Sequence, residues 1–190
     1  MTLPAHPWVA RSWDIAAEGH AIRLSRDGIA AWREQGRGRW ISQVAPGLAL
    51  PWRVWEAQHE PDRAELIALL RAPRPLLPLV LAERTDDHGI TLSIRVPLEL
   101  QHFDGHFAGA PVVPGVLHIG WALELAAPRL RLTAPCAHIE NLKFQHLLRP
   151  GDSAELTLRH DPALHTLHFR CSHGERAYAS GRLSVGQAND

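Results

Sequence analysis

The sequence predicts an α+β fold in which an antiparallel sheet wraps one central helix, preceded by a small α/β appendage. Three observations predict it. A mostly apolar helix over residues 116–128 follows a loop punctuated by Gly105, Gly109, Pro111, Pro114 and Gly115. Segments of strand character lie on both sides of that helix, some with period-two alternation. The texture of the chain changes across residues 72–78, where closely spaced prolines favour extended backbone and mark a boundary near residue 73.

Residues 1–72 hold Trp8, Trp13, Trp32, Trp40, Trp52 and Trp55, leaving only Trp121 for the remainder. Ser25 or Asp27 is placed to cap a helix that runs through Ile29, Ala30, Trp32 and Arg33 to the glycines at 36 and 38. Residues 50–55 read as a short strand. A second helix is expected over 61–71: Pro61 suits a first turn, Asp62 and Glu65 lie near its positive end, and Leu66, Ile67, Leu69 and Leu70 form its apolar face.

Beyond the boundary, residues 79–83 form a first strand and 86–89 a hairpin turn. Ile90, Leu92, Ile94 and Val96 then alternate with Thr91, Ser93 and Arg95, the pattern of a strand with one buried face. In the central helix, Leu117, Trp121, Leu123, Leu125 and Ala126 are too apolar for one exposed face, so burial on most sides is expected, with Pro128 as its end. Three more strand regions follow: 137–148, 154–159 and a pair, 164–171 and 176–185. Residues 149–152 make a turn by composition and 186–190 a frayed tail.

Composition excludes more than it selects. Hydrophobic residues at 45% suffice for a core, and a formal net charge of zero argues against non-specific binding to nucleic acid or a membrane surface. Cys136 and Cys171 are too far apart for a C-x-x-C motif and are expected as reduced interior thiols. No basic segment followed by an apolar run opens the chain, and no stretch approaches the ~20 apolar residues of a membrane span, so a cytoplasmic location is expected. No G-x-S-x-G elbow or G-x-x-x-x-G-K-[ST] loop is present. His102, Asp104 and His106 suggest a metal site only weakly, because the glycine turn disfavours ligands one helical turn apart and no third ligand is indicated. Neither metal nor cofactor is expected.

The run Gly105-His-Phe-Ala-Gly-Ala-Pro-Val-Val-Pro-Gly-Val-Leu117 resembles the active-site segment of hotdog-fold 3-hydroxyacyl-thioester dehydratases of fatty-acid synthesis. It is most similar to the branch tied to aryl-polyene and xanthomonadin pigments (ApeI-like). That family's core reads G-H-F-P-G-x-P-x-x-P-G-V, and only Ala108 departs from it. The likeness extends more loosely over residues 75–185. It implies a hotdog domain over 73–185, dehydration of a 3-hydroxyacyl group on an acyl carrier protein, and a homodimer or hotdog heterodimer. Residues 20–71 are weakly similar to the C-terminal subdomain of acyl-adenylate-forming ligases. That family's lysine is absent, since Lys143 is the only lysine, so the appendage is expected to be an inactive packing remnant or docking surface.

Dehydration requires a base for the proton beside the thioester carbonyl, a donor for the enolate-like oxygen and an acid for the departing hydroxyl. A neutral imidazole at His106 can act as the base near pH 7. The N–H of Gly115 opens the helix, where free backbone donors and the helix dipole favour negative charge. The resemblance gives these two positions those roles and makes Phe107 and Pro114 substrate-binding. Its acid, a Glu or Asp fourteen residues after the histidine, is replaced here by Gly120. Three side chains can stand in. Glu124 lies one turn beyond Gly120 on the same helix face, where burial would favour its protonated form. His118 points ~160° away at ~100° per residue, and Asp104 sits beside the base. Arg129, Arg131, Lys143 and Arg149 are candidates to receive an acidic carrier protein, or an ordinary mixed surface with Glu124, Glu140 and Asp152. A thioesterase on the same fold and a non-catalytic carrier-binding subunit are the rival readings.

Overall fold

Indole rings fill the interior of the N-terminal region, and its elements are arranged to bring them together. The structure, a computed structural model, describes residues 3, 5–48, 51–87, 89–107, 109–132 and 136–185, with only the backbone at Ala137. The chain forms two compact units. Met1–Leu76, Pro97–Val112 and Arg149–Gly151 make the first; Leu77–Val96, Val113–Leu148 and Asp152–Asp190 make the second.

In the first unit, β1 (Val9–Asp14) pairs antiparallel with β2 (His20–Leu24), which pairs parallel with β3 (Trp52–Val54). Helices α1 (Arg26–Val44) and α2 (Arg63–Arg71) flank β3 in sequence. The helix–strand–helix order matches the expectation, but β1 and β2 ahead of it were not anticipated. Neither alternates: β1 is mostly exposed along its length, and His20, Ala21 and Ile22 are buried in succession.

Helix α1 begins at Ser25, whose hydroxyl accepts from the Gly28 N–H. It does not end at the glycines. Gly36 breaks the helical dihedrals (φ 74°, ψ 172°), and the helix resumes as far as Val44. The continuation places Trp40 and Val44 in the same core as Trp32, Trp52, Ile22 and Leu24. Ring centroids of Trp32 and Trp40 are 5.5 Å apart, and those of Trp32 and Trp52 5.9 Å. At roughly 1.5–3 kcal/mol for each large apolar side chain withdrawn from water, this outweighs the ~1 kcal/mol penalty of a helical glycine. Helix α2 starts at Arg63 rather than Pro61. The Asp62 carboxylate accepts from the Glu65 N–H and the Glu65 carboxylate from the Asp62 N–H, a reciprocal cap that sets the start.

The second unit is the antiparallel sheet expected around one helix. Strands β4 (Leu79–Asp86), β5 (Gly89–Arg95), β6 (Cys136–Phe144), β7 (Ser153–Asp161), β8 (Thr166–His173) and β9 (Arg176–Val185) lie in the order β4-β5-β7-β8-β9-β6. Ile90, Leu92 and Ile94 are buried in alternation with half-buried Thr91, Ser93 and Arg95, as their spacing predicted. The same period buries Ala154, Leu156 and Leu158 on β7 and Leu167, Phe169 and Cys171 on β8. Helix α3 (Gly115–Leu130) packs against the sheet at β7 and β9.

Strands β4 and β6 are the two edges. Every residue of β4 is exposed, and the pairing register shifts along both strands. Helix α3 runs past Pro128 to Leu130, with Arg131 in left-handed conformation bonding back to the Ala127 carbonyl. A proline this close to the end removes a single helical bond, to the Glu124 carbonyl, and the helix runs on past it. Cys171 is buried, and burial pushes its thiol up to about 12; Cys136 is half-buried rather than interior because it lies on the β6 edge. Position 88 of the expected hairpin turn, position 50 of the expected strand and the tail 186–190 lie outside the described residues.

Candidate active site

The glycine- and proline-rich motif is divided between the units: 105–112 belongs to the first and 113–117 to the second. In the first, Pro97–Val112 approaches through a short 3-10 helix, Gln101–Asp104, anchored by buried Phe103. The chain then turns tightly. The Ala110 N–H donates to the Phe107 carbonyl at 3.1 Å and the Val112 N–H to the His106 carbonyl at 3.2 Å. These bonds leave the His106 side chain exposed, with the Phe107 ring 5.8 Å from it and 63% accessible. An exposed imidazole next to an exposed aromatic ring can meet an incoming acyl group, which a packed histidine cannot. Ala108, the departure from the family pattern, lies outside the described residues.

Asp104, one of the three stand-in acids, is committed elsewhere. Its carboxylate forms a two-pronged pair with the Arg74 guanidinium, Arg74 Nη1 donating to Oδ1 at 2.9 Å and Nη2 to Oδ2. Those hydrogen bonds hold the carboxyl below its ordinary range, so at neutral pH Asp104 has no proton to give. Arg74 was not singled out from the sequence, because it sits in the proline-rich stretch read as a boundary and nothing local marks it.

In the second unit, buried Pro114 precedes the first residue of α3, and no side chain caps that end. The first N–H groups of a helix have no intrahelical acceptors, so the Gly115 and Val116 amides point away from the helix as donors. The Val113 N–H donates to the Leu148 carbonyl at 2.8 Å and fixes where the helix begins. Glycine at 115 has a steric reason as well. A Cβ there would lie 2.8–3.0 Å from the Phe144 ring, so that ring reaches the helix start only because the side chain is missing. Phe144 is a second residue the sequence did not flag; on an edge strand its apolarity reads as ordinary β propensity.

The helix faces decide the other two acids. His118, Ile119, Trp121, Ala122, Leu125 and Ala126 form the buried stripe at helical spacing. Val116, Gly120 and Glu124, four residues apart, lie on the opposite, more open side. Glu124 is therefore exposed within this chain, because the sheet takes the other face, so the single chain does not supply the burial that the acid role would call for. His118 is 3% exposed, its ring centroid is 5.8 Å from Trp121 and 6.2 Å from Phe144, and its Nδ1 has no hydrogen-bond partner among the described residues. Burial lowers its pKa to about 4, so it is neutral near pH 7 and is a packed residue rather than an acid. Apart from its own turn of helix, a Cβ added at Gly120 meets no atom within 4 Å among the described residues.

Of the basic residues considered for a carrier protein, Arg129 donates to Glu83 and to the Leu125 carbonyl. Lys143 is exposed on the β6 edge, and Arg149 falls in the first unit and is itself engaged.

A family model described as ApeI-like, ApeI dehydratase, matches residues 82–182. The chain is 32% identical to the 3-hydroxyacyl-acyl-carrier-protein dehydratase FabZ of Levilactobacillus brevis, over 67% of this chain and 95% of that protein. It is also 32% identical to the FabZ dehydratase of Chlamydia pneumoniae, over 63% of this chain and 80% of that one. Among solved structures it is similar to the dehydratase heterocomplex ApeI:P from Xenorhabdus doucetiae, with 27% identity and a TM-score of 0.54 over 58% of this chain and 98% of that chain. The likeness and the six-stranded sheet around α3 together make this an α+β hotdog fold.

Proposed function

This chain belongs to the ApeI-like dehydratase family, and from that premise we propose that it dehydrates a 3-hydroxyacyl group carried on an acyl carrier protein to the trans-2-enoyl thioester, in fatty-acid-like or aryl-polyene pigment synthesis. The observation that carries the reading is an exposed His106 in a turn whose sequence continues into an uncapped helix start at Gly115. In the proposed reaction the neutral His106 imidazole takes the proton from the carbon beside the thioester carbonyl. The electron pair moves toward the carbonyl oxygen, which the Gly115 N–H stabilises as negative charge develops. The bond from the neighbouring carbon to its hydroxyl breaks as Glu124 delivers a proton, and water leaves. Transfer of the proton on His106 back to Glu124, through solvent, resets both groups. The family likeness assigns Phe107 and Pro114 to substrate binding in this scheme.

Glu124 needs a different setting from the one it has in the single chain. A second subunit laid over the Val116–Gly120–Glu124 side of α3 withdraws the carboxyl from water, the environment in which a carboxyl keeps its proton. The same pairing covers Val116, 68% exposed, and Phe144, 51% exposed. We therefore read the functional species as a homodimer or a hotdog heterodimer. Sedimentation of the purified protein should show a dimer at micromolar concentration; a monomer there, with no gain on adding a homologous partner, counts against this arrangement. Residues 1–72, with no lysine, take no part in adenylation on this reading.

Intact-mass measurement of a 3-hydroxyacyl carrier protein after incubation tests the function. Loss of one water is the expected result. Free acid would indicate a thioesterase. Unchanged substrate with measurable binding would indicate a carrier-binding subunit, the reading that Gly120 favours. Among the described residues no helix is long and apolar enough to cross a membrane.

A further inference from the structure

The histidine loop is held by the N-terminal α/β layer through groups that the chemistry above does not use. Leu98 is fixed three times: its side chain joins the core of Trp32, Trp40 and Trp52, its carbonyl accepts from Trp32 Nε1 at 2.9 Å, and its N–H donates to Glu56 Oε1 at 2.8 Å. Glu99 follows, 3% exposed and fully engaged. Its Oε2 accepts from Arg53 Nε at 2.9 Å and from the Val54 N–H at 2.8 Å, and its Oε1 accepts from Arg37 Nε at 3.2 Å.

The two arginines are themselves fixed. Arg53 Nη1 donates to the Leu69 and Ala72 carbonyls at the end of α2, and Arg37 stacks 3.8 Å above the Trp52 ring. The Gln101 N–H then donates to the Pro75 carbonyl at 2.9 Å, and Arg74 grips Asp104, two residues before His106. Each partner in this series comes from residues 32–75, outside the span the family model matches.

A buried carboxylate between two arginines contributes little net stability compared with apolar packing. Its geometry, however, is specific, since planar guanidinium groups accept few orientations of a carboxylate. We propose that the first 76 residues are the scaffold of the histidine loop, and that Glu99, through Arg53 and Arg37, and Asp104, through Arg74, are positioning residues that set His106. The functional half of this statement rests on the dehydratase reading; the structural half does not.

The test uses full-length protein carrying Asp104→Asn, Glu99→Gln, or the exchange Arg74→Asp with Asp104→Arg. Hydrogen exchange is followed at the amides of Leu98, Gln101, Phe103, Ala110 and Val112, each hydrogen-bonded in the structure, with β7–β9 as internal reference. Asp104→Asn and Glu99→Gln should speed exchange in the loop and leave β7–β9 unchanged, and the exchange variant should recover protection. In turnover, Asp104→Asn should lower kcat by about tenfold or more with KM within about twofold, as misplacement of a reacting group does. Unaltered loop exchange in Asp104→Asn overturns the proposal, as does an equal loss of protection across β7–β9. Because Asp104 is on the surface, this holds even if Glu99→Gln fails to fold. If the wild type shows no dehydration, the exchange measurement still decides the scaffold, and only the dehydratase reading fails.

Discussion

In the His106→Ala protein, loss of water from a 3-hydroxyacyl carrier substrate should fall by about 10³-fold or more, while the fold and the proposed dimer persist. A positioned general base contributes roughly 10²–10⁴-fold, and alanine leaves nothing in its place. The side chain is exposed, so its removal opens no cavity, and the turn around it is held by backbone bonds of Ala110 and Val112 that the substitution leaves intact. The loss should fall on kcat, with substrate binding retained, because the group acts only once the proton begins to move. Intact-mass kinetics and sedimentation check both halves. Wild-type turnover that survives His106→Ala unchanged would sink the mechanism.

The second large effect concerns the acid. Glu124→Gln should cost at least ~10²-fold in dehydration, the low end of what a positioned acid contributes. Adding Gly120→Glu to that variant should restore part of the loss. It returns a carboxyl to the position the family uses, one turn away on the same helix face. Apart from its own turn of helix, nothing among the described residues lies within 4 Å of a Cβ at Gly120, so the first atom of the new side chain has room, and a helical glycine is itself less favourable than alanine by roughly 0.5–1 kcal/mol. Full activity in Glu124→Gln would remove Glu124 from the mechanism. A poor wild type that gains rate from Gly120→Glu alone would mean the acid has been lost and the chain serves mainly as a carrier-binding subunit.

Much of the candidate site was legible because it is local. The histidine turn and the helix start are written in consecutive residues, where glycines and prolines restrict the backbone and α3 follows without a capping side chain. The acid was not legible to the same degree. Spacing favours Glu124, on the face of Gly120, over His118, ~160° away, and leaves Asp104 beside the base as an open choice. The three separate fully only when Arg74, thirty residues upstream, is seen to hold Asp104, and when the sheet is seen to cover His118 and leave Glu124 in the open.

By itself the sequence determined the kinds of element and their order from α1 onward: alternation set β5 and β7, Ser25 or Asp27 and the run from Pro61 to Glu65 marked where α1 and α2 begin, and an apolar run set α3. These follow from interactions between residues a few positions apart, which periodicity and capping record. Only the tertiary structure decided that α1 continues past Gly36, that α3 continues past Pro128, and that Pro97–Val112 clusters with the first 76 residues. In each case the cause is a partner distant in the chain or an exposure set by packing. Trp52 and Leu98 complete the core that draws Trp40 inward, the Glu124 side of α3 is left exposed, and Arg53, Arg37 and Arg74 bind carboxylates 30–62 residues away. A local pattern carries no record of a side chain that far along, so the grip on the histidine loop became visible only once the chain had folded.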